Sequence, residues 1–529
     1  MSFAARGTSD DMEAERNSFA GRAFRGVGGH VLFLGGLAAI AALLPPATWD
    51  PDAAEFVLII GAIGIWRYCW AGLHFVRSLI YRHIVFPRWR RAVDAAGEDA
   101  MPSHVYLLVT SFRIAGDTTA RVYASVIEEA IRCEIPTTII ASIVEMADQR
   151  LIKHLFEMAD PPPHVSLKFV RIGGTGKRDA LAYGFRAIAK ENPPEDAVAA
   201  VIDGDTILEP GLVRRTAPFF AIFPDVGALT TDEVCEVDGN RIYQEWYSMR
   251  FAQRQIQMSS VGLSRYVLTL TGRMSMFRAK VVCDPEFIRQ VEVDWIDHWR
   301  LGRFQFLTGD DKSTWYFLLR NGWRMLYVHD VRILTVEHAP SDSFFGGSIV
   351  LMRRWFGNML RTNNRAIALG PVRLGLYTWW CIVDQRISMW TCITGLTVAI
   401  LGSLAVSPMV FVYYAFWILL TRYAMVLCFL TARPTVSAAW PLLLYYNQIV
   451  GSFVKLYVVF HLDKQKWTRQ NTTLMRDSLG WRTRAAQLSS PAMMALCVAV
   501  FITALGLGSG AIELPSFDLV RAALFSKEV

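Results

Sequence analysis

Two hydrophobic patterns alternate along the chain. Toward both ends apolar residues run on with no polar face. In the middle they break into short blocks. Residues 31–44 are apolar and stop at Pro45-Pro46, and residues 56–75 form a second apolar run. With the glycines ahead of it, the first run reaches the roughly 20 residues that a bilayer requires. The pattern changes at His104. HVYLLVTSF, TTIIASIVE, HVSLKFVRI and AVAAVIDGD are short apolar runs, read as strands buried on both faces. TTARVYASVIEEAIRC and DALAYGFRAIAK carry their apolar residues on one helical face, the former with Asp117 or Thr118 as its cap. Strands alternating with helices predict a parallel sheet with crossover helices. Past Asp342, SIVLMRRWFGNMLRTNNRAIAL mixes basic, aromatic and apolar residues, as helices lying in a membrane interface do. Residues 376–406 and 409–430 read as two spans, and residues 493–507 as a last, short one. Residues 440–462 are ambiguous. If they cross, the basic stretch 464–484 falls outside, against the charge rule, so an interfacial or re-entrant helix is the preferred reading.

Composition and charge sharpen this picture. The chain has 529 residues, 53% hydrophobic, with formal net charge +7. Its mean hydropathy is +0.28. The bases cluster beside apolar spans, so anionic lipid and positive-inside topology explain them better than nucleic acid, and no nucleic-acid partner is expected. Asp50, Asp52 and Glu55 lie in a loop without Lys or Arg. Arg77, Arg82, Arg88, Arg90 and Arg91 follow the second span. That asymmetry puts the first loop outside and the middle of the chain in the cytosol. Eight cysteines contain no CxxC pair, which disfavours zinc or disulfide frameworks. Residues 1–26 are polar and carry four acids before any apolar run, so no cleavable signal peptide is expected. The division expected is 1–84 (tail and two spans), 85–342 (cytosolic domain), 343–375 (interfacial helices) and 376–529 (membrane helices with an interfacial segment).

The candidate chemistry sits in the middle block. Asp203 and Asp205 end a buried strand, where ligands of open α/β sheets bind. Paired carboxylates with spare room suit Mg²⁺ or Mn²⁺, which also take diphosphate oxygens. Thr110 and Ser111 end the first strand, and Glu145 ends the second with Asp148 close behind. The turn Gly173-Gly174-Thr175-Gly176-Lys177-Arg178 lets backbone approach a phosphate and supplies two charges. It lacks P-loop spacing. Thr271-Gly272-Arg273, Thr308-Gly309-Asp310-Asp311-Lys312, Arg353-Arg354-Trp355 and Trp467-Thr468-Arg469 follow in order. Each alone reads equally as a solvated turn, a helix cap or an interfacial Arg/Trp pair. Arg67, Arg386 and Arg422 lie within apolar stretches, where a charge is costly and faces a partner or a watery path. Asp384 is a candidate partner for one of them.

The ordered set resembles the processive family 2 glycosyltransferases, the group of cellulose, chitin and hyaluronan synthases. The resemblance implies a GT-A nucleotide-sugar domain embedded among α-helical membrane spans and interfacial helices. It implies metal binding at Asp203 and Asp205, and a catalytic base at Asp311, with Asp310 its neighbour and Lys312 a tuning charge. Thr110, Ser111, Glu145, Asp148, Lys177, Arg178, Asp203, Arg354, Trp355, Trp467, Thr468 and Arg469 would contact the nucleotide sugar. Thr271, Gly272 and Trp355 would meet the acceptor. The spans themselves, not the resemblance, suggest that Arg67, Arg386 and Arg422, with aromatic residues around them, guide an anionic polymer through a channel. Leu351 stands where the QxxRW pattern has Gln. IGAIGIWRY, TSFRI, RIGGTGKRDALAYGFRAI, LTGDDKSTW, LGLYTWWCIVDQRISMWT and LYYNQIVG are more closely similar to the alginate-polymerising branch of that family. That likeness implies GDP-mannuronic acid as donor and a growing polyuronate chain as product. It implies a partner subunit with a cyclic di-GMP-binding PilZ domain, an envelope export complex, and multi-pass residence in a bacterial inner membrane. A synthase of another β-glycan, a non-processive lipid-carrier glycosyltransferase and a transporter with a nucleotide-binding domain are the alternatives.

Overall fold

In the computed structural model, residues 26–50, 61–173, 176–465, 481–508 and 512 are described. The WTR segment, Trp467 to Arg469, lies outside them, as do Gly174 and Thr175. Two helices lead in, α1 (Val27–Leu43) and α2 (Ala62–Ile80). After α3 (Phe86–Ala96) the strand and helix blocks begin. β1 (Val105–Thr110), β2 (Thr137–Ile143), β3 (Val165–Arg171) and β4 (Val198–Asp203) are the four runs read as strands. They are joined by α4 (Gly116–Arg132), α5 (Met146–Ala159) and α6 (Lys177–Lys190). β1 and β2 are wholly buried, as continuous apolar runs require.

With β5 (Thr206–Leu208), β6 (Val226–Asp238), β7 (Met274–Arg278) and a later long strand, Arg324–His338, these build one eight-stranded sheet. The order is β3-β2-β1-β4-β7-β6, then Arg324–His338, then β5. The β1–β4 half is parallel. β7 runs against both β4 and β6. Register decides where the chemistry sits: Thr110 pairs with Ser142 on one side and Asp203 on the other. Three strand ends thus share one edge. At that edge Gly204 packs on β1, and a Cβ there would lie 2.7 Å from the Thr110 carbonyl oxygen and 2.9 Å from Ser111 Oγ. Only glycine allows the Asp203–Asp205 turn to lie so close.

α7 (Arg241–Gly262) and α8 (Pro285–Glu292) pack on the sheet. A small hairpin of β8 (Trp295–His298) and β9 (Gly302–Gln305) leads into α9 (Asp310–Arg320), and β10 (Arg324–His338) closes the domain. α10 (Phe344–Ala368) runs along α9 and carries Arg354 and Trp355. A buried ion pair fastens it: Arg365 donates to both Asp294 oxygens, at 2.6 and 2.9 Å, and Ser313 donates to the same carboxylate at 2.6 Å.

α11 (Leu376–Ala405), α12 (Met409–Cys428), α13 (Trp440–Phe460) and α14 (Trp481–Gly508) complete the chain. Candidate spans by length and hydropathy are Leu376–Ala405, Met409–Thr431, Trp440–Phe460 and Leu488–Gly508. α13 differs from the rest. At its start Trp440 Nε1 donates to Glu245 of α7 at 2.8 Å, and Arg433 just before it pairs with Asp232 at 2.6 Å. At its end the Phe460 carbonyl accepts from Arg300 at 2.7 Å, and that of Leu462 from Arg361 at 2.9 Å. The helix is thus tied to α7 and β6 at its start, and to the β8–β9 hairpin and α10 at its end.

Asp294→Ala would leave Arg365 and Ser313 facing a vacated, buried site. Removing one partner of a buried pair costs roughly 3 kcal/mol. A lowered midpoint of thermal unfolding in detergent is the expected outcome, and an unchanged midpoint would show that Asp294 does not fasten α10.

Candidate active site

Lys177 opens α6, and its ammonium reaches across the sheet edge. Nζ lies 3.0 Å from Asp203 Oδ2, 3.3 Å from Asp310 Oδ2 and 3.2 Å from the Gly272 carbonyl oxygen. Burial alone would lower its pKa, but Asp203 and Asp310 hold it above the ordinary lysine value. Gly272 fills the remaining side: a Cβ there would stand 3.3 Å from Nζ and 3.9 Å from Asp311 Cβ. The strand-end acid, the phosphate-turn lysine, the TGR loop and the TGDD loop therefore meet within one small space. Sequence spacing pairs Asp203 with Asp205; the fold brings Asp310 to it. Asp205 is half-buried in the turn that follows β4, where its carbonyl accepts from Val336 N at 2.9 Å.

Asp310 and Asp311 begin α9, and carboxylates suit a helix N-terminus. The turn before them depends on Gly309, at φ +87, where a Cβ would also meet Asn358 Cγ at 2.9 Å. Thr308 Oγ1 donates to Asn358 Oδ1 at 2.7 Å, so α10 sets the height of the acid pair. Asn358 is a positioning residue that sequence reasoning missed. Its signal is its place three residues past Trp355. Asp311 is buried; desolvation and the charge of Asp310 raise its pKa above the usual carboxylate range.

Several expected contacts point elsewhere. Arg178 is buried and donates to the carbonyls of Val291 at 2.8 Å and Thr308 at 3.2 Å and to Ser313 Oγ at 3.0 Å. It props the TGDD loop from beneath and does not face a phosphate. Lys312 donates to the Leu268 carbonyl at 2.6 Å and lies over Trp315. Burial pulls its pKa down to about 8. It fixes the 268–269 segment, whose Thr269 hydroxyl is 3.4 Å from Asp311 Oδ2. Thr271 Oγ1 donates to the Met274 carbonyl at 2.8 Å, a turn contact rather than an acceptor contact. Arg386 donates to the Leu360 carbonyl at 2.8 Å and faces α10.

The remaining expected residues do gather at the edge or beside it. Thr110 Oγ1 is buried with no hydrogen-bond partner among the described residues, and Ser111 adjoins it. Glu145 is exposed beyond β2. Asp148 is half-buried nearby, its pKa raised by burial and by Glu145. Trp355 stacks on Trp246 at 5.6 Å and meets Tyr247 edge-on. Arg354 is half-buried on the same turn, within electrostatic reach of Glu337. Leu351 is buried in the cluster around Trp246.

A cavity of about 980 Å³ lies between α2, α11 and α12, and Gln253, Ile256 and Gln257 of α7 also line it. Arg67 and Arg422 are on its wall. Arg67 forms an ion pair with Asp384, which also accepts from Trp70 Nε1 at 3.2 Å. Arg422 donates to Gln448 at 2.9 Å and to the Tyr68 hydroxyl at 3.0 Å, and has no carboxylate partner among the described residues.

Residues 102–358 match the family described as glycosyltransferase like family 2. The chain is 52% identical to glycosyltransferase alg8 of Pseudomonas syringae pv. tomato over 90% of its own length and 97% of that protein. It belongs to the family 2 glycosyltransferases. This glycosyltransferase is also 51% identical to glycosyltransferase alg8 of Azotobacter vinelandii, over the same 90% and 97%. Among solved structures, the mannosyltransferase PcManGT from Pyrobaculum calidifontis, in complex with GDP-Man and Mn²⁺, is 14% identical. That match covers 74% of this chain and 98% of that one, with a TM-score of 0.43.

The geometry yields two expectations for this glycosyltransferase. Asp311→Asn should abolish transfer, by about a thousandfold or more, while donor binding changes less than about threefold, because a base acts in the transition state. Donor titration and single-turnover transfer measure the two; retained transfer with lost binding would assign Asp311 to the donor instead. Asp310→Asn removes the repulsion that raises the Asp311 pKa. Deprotonated Asp311 should then persist to lower pH, so the acid limb of kcat/KM should move down. An unmoved limb would show that Asp310 does not set it.

Proposed function

We propose that this glycosyltransferase polymerises GDP-mannuronic acid into β-1,4-linked polymannuronate, the alginate precursor, and feeds the chain across the bacterial inner membrane as it grows. The observation that carries the reading is the shared cavity: one space bounded by helices of the membrane half and by α7 of the catalytic domain. A non-processive enzyme has no use for such a passage. The alg8 relatives and the motif likeness support the donor and product.

The chemistry follows from the site. The donor lies along the strand ends, with Thr110, Ser111, Glu145 and Asp148 at the nucleotide end. The acceptor hydroxyl oxygen attacks the anomeric carbon opposite the diphosphate. Its proton passes to Asp311, the new glycosidic bond forms, and the bond to the diphosphate oxygen breaks. Attack from the far face inverts an α-donor to a β-link. Lys177 neutralises charge on the departing diphosphate. Trp355, held by Trp246 and Tyr247, gives the acceptor sugar a flat apolar face.

Asp203, with Asp205 two residues on, would hold a divalent ion, Mg²⁺ or Mn²⁺; the Lys177 ammonium fills the space between Asp203 and Asp310, at 3.0 and 3.3 Å. Among the described residues no cluster of three or more His, Cys, Asp or Glu could hold a metal ion. When bound, the ion would stabilise the leaving diphosphate. The catalytic domain faces the cytosol beside anionic lipid headgroups. α13 lies in the interface, and a PilZ-type subunit and an envelope export complex act with the chain.

Membranes containing the protein, incubated separately with radiolabelled GDP-mannuronic acid, GDP-mannose and UDP-glucose, test the reading. Label should enter high-molecular-weight polymer from GDP-mannuronic acid. Polymer from a neutral donor alone, or single sugars recovered only in the lipid extract, would overturn it. In the same assay Arg422→Gln should shorten the product severalfold, as read by size-exclusion chromatography, and unchanged length would remove Arg422 from the polymer path.

A further inference from the structure

Among the described residues, internal cations near the catalytic domain either pair with an acid or are held by backbone carbonyls. Arg67 pairs with Asp384, Arg273 and Arg254 with Glu233, Arg365 with Asp294, and Arg433 with Asp232. Arg178, Arg278 and Arg361 are held by backbone carbonyls; two cations between the Trp355 cluster and the cavity have neither kind of partner among the described residues. Arg250 of α7 lies over the rings of Trp355 at 4.3 Å and Trp246 at 4.9 Å. Its hydrogen bond goes to the neutral Asn447 Oδ1, at 2.9 Å. Lys455 of α13 has its ammonium 4.7 Å from the centroid of Phe356, the residue after Trp355. It makes no hydrogen bond or ion pair among the described residues. Cys392 and Asp384, both on the cavity wall, are within its electrostatic reach.

One helix arranges these groups. Asn447, Gly451 and Lys455 are spaced four apart on one face of α13. Asn447 holds Arg250, and at Gly451 a Cβ would lie 3.2 Å from Phe356. The adjoining Gln448 holds Arg422 at the cavity wall. Both cations are half-buried, so each gives up part of its hydration with no paired carboxylate, and aromatic faces offset only part of that. The arrangement makes sense when a passing ligand brings the anions.

We infer that Lys455 and Arg250, with Arg422, form a carboxylate-reading wall that guides an acidic sugar chain from the catalytic edge into the membrane cavity. This rests on the uronate reading above. Arginine reads carboxylate through paired hydrogen bonds and lysine as a point charge. Three spaced cations share the chain, so it can slide from one to the next. A neutral polysaccharide would find the same aromatics but nothing to offset the unmatched charge.

The test compares binding of a fluorescent mannuronate hexasaccharide and of mannohexaose to the purified full-length chain in detergent. The wild type should bind the acidic sugar about tenfold or more tighter, a difference of one decade in Kd. Lys455→Met should lose most of that preference, and Lys455→Arg should keep it. Lys455→Gln, which retains a polar tip, carries the comparison if Lys455→Met does not fold. Equal binding of the two sugars by the wild type, or undiminished preference in the neutral variants, overturns the wall. The donor assay separates the two readings. If only a neutral sugar is polymerised but the acidic preference depends on Lys455, the donor reading falls and the wall stands. If polyuronate is made but the hexasaccharides bind alike, the wall falls alone.

Discussion

A single ammonium group organises the catalytic edge. Lys177 touches Asp203 at the end of β4, Asp310 at the start of α9, and the backbone at Gly272. These segments come from distant parts of the chain. Two carboxylates so close would repel without a cation between them. The same charge lets Asp310 stand beside Asp311, whose proton affinity is raised in consequence. Lys177, Asp203, Asp310 and Asp311 are therefore electrostatically linked, and any shift of the Lys177 ammonium changes what Asp310 and Asp311 feel.

The sheet was legible in the sequence because its signals are local. β1, β2 and β4 are apolar runs ending in polar residues, and their carboxyl ends had to share an edge once the strands were parallel. The acid-bearing loops were legible for a similar reason, since glycines flank them where the backbone must turn tightly or approach a neighbour. What one sequence does not carry is the direction of a side chain. Arg178 and Lys177 are adjacent at the start of a helix, so they point about 100° apart. One faces the edge while the other is buried beneath the loop. Lys312 differs from Asp311 in the same way. Thr271 and Arg386 were drawn into turn and helix contacts that depend on partners far along the chain. Lys455 did leave a trace, as a lone lysine in the apolar run GSFVKLYVVF, but the trace gains meaning only once Phe356 and Arg250 are seen beside it.

Residues 440–462 show how composition and geometry divide the work. The segment is long and apolar enough to cross a bilayer. The charge of the following stretch argued against crossing, and contacts from Glu245, Arg300 and Arg361 hold both its ends to the catalytic domain. Apolarity here serves packing against α10, α11, α12 and α7 as much as contact with lipid.

That pinned helix has a mechanical consequence. A beam fixed at both ends leaves no hinge at the seam it bridges. Between its pinned ends the same helix packs on α11 and α12, so tilting the catalytic domain against those helices would strip that packing along α13. If the chain polymerises as proposed above, the moving part is the polymer, and the frame around it keeps its shape.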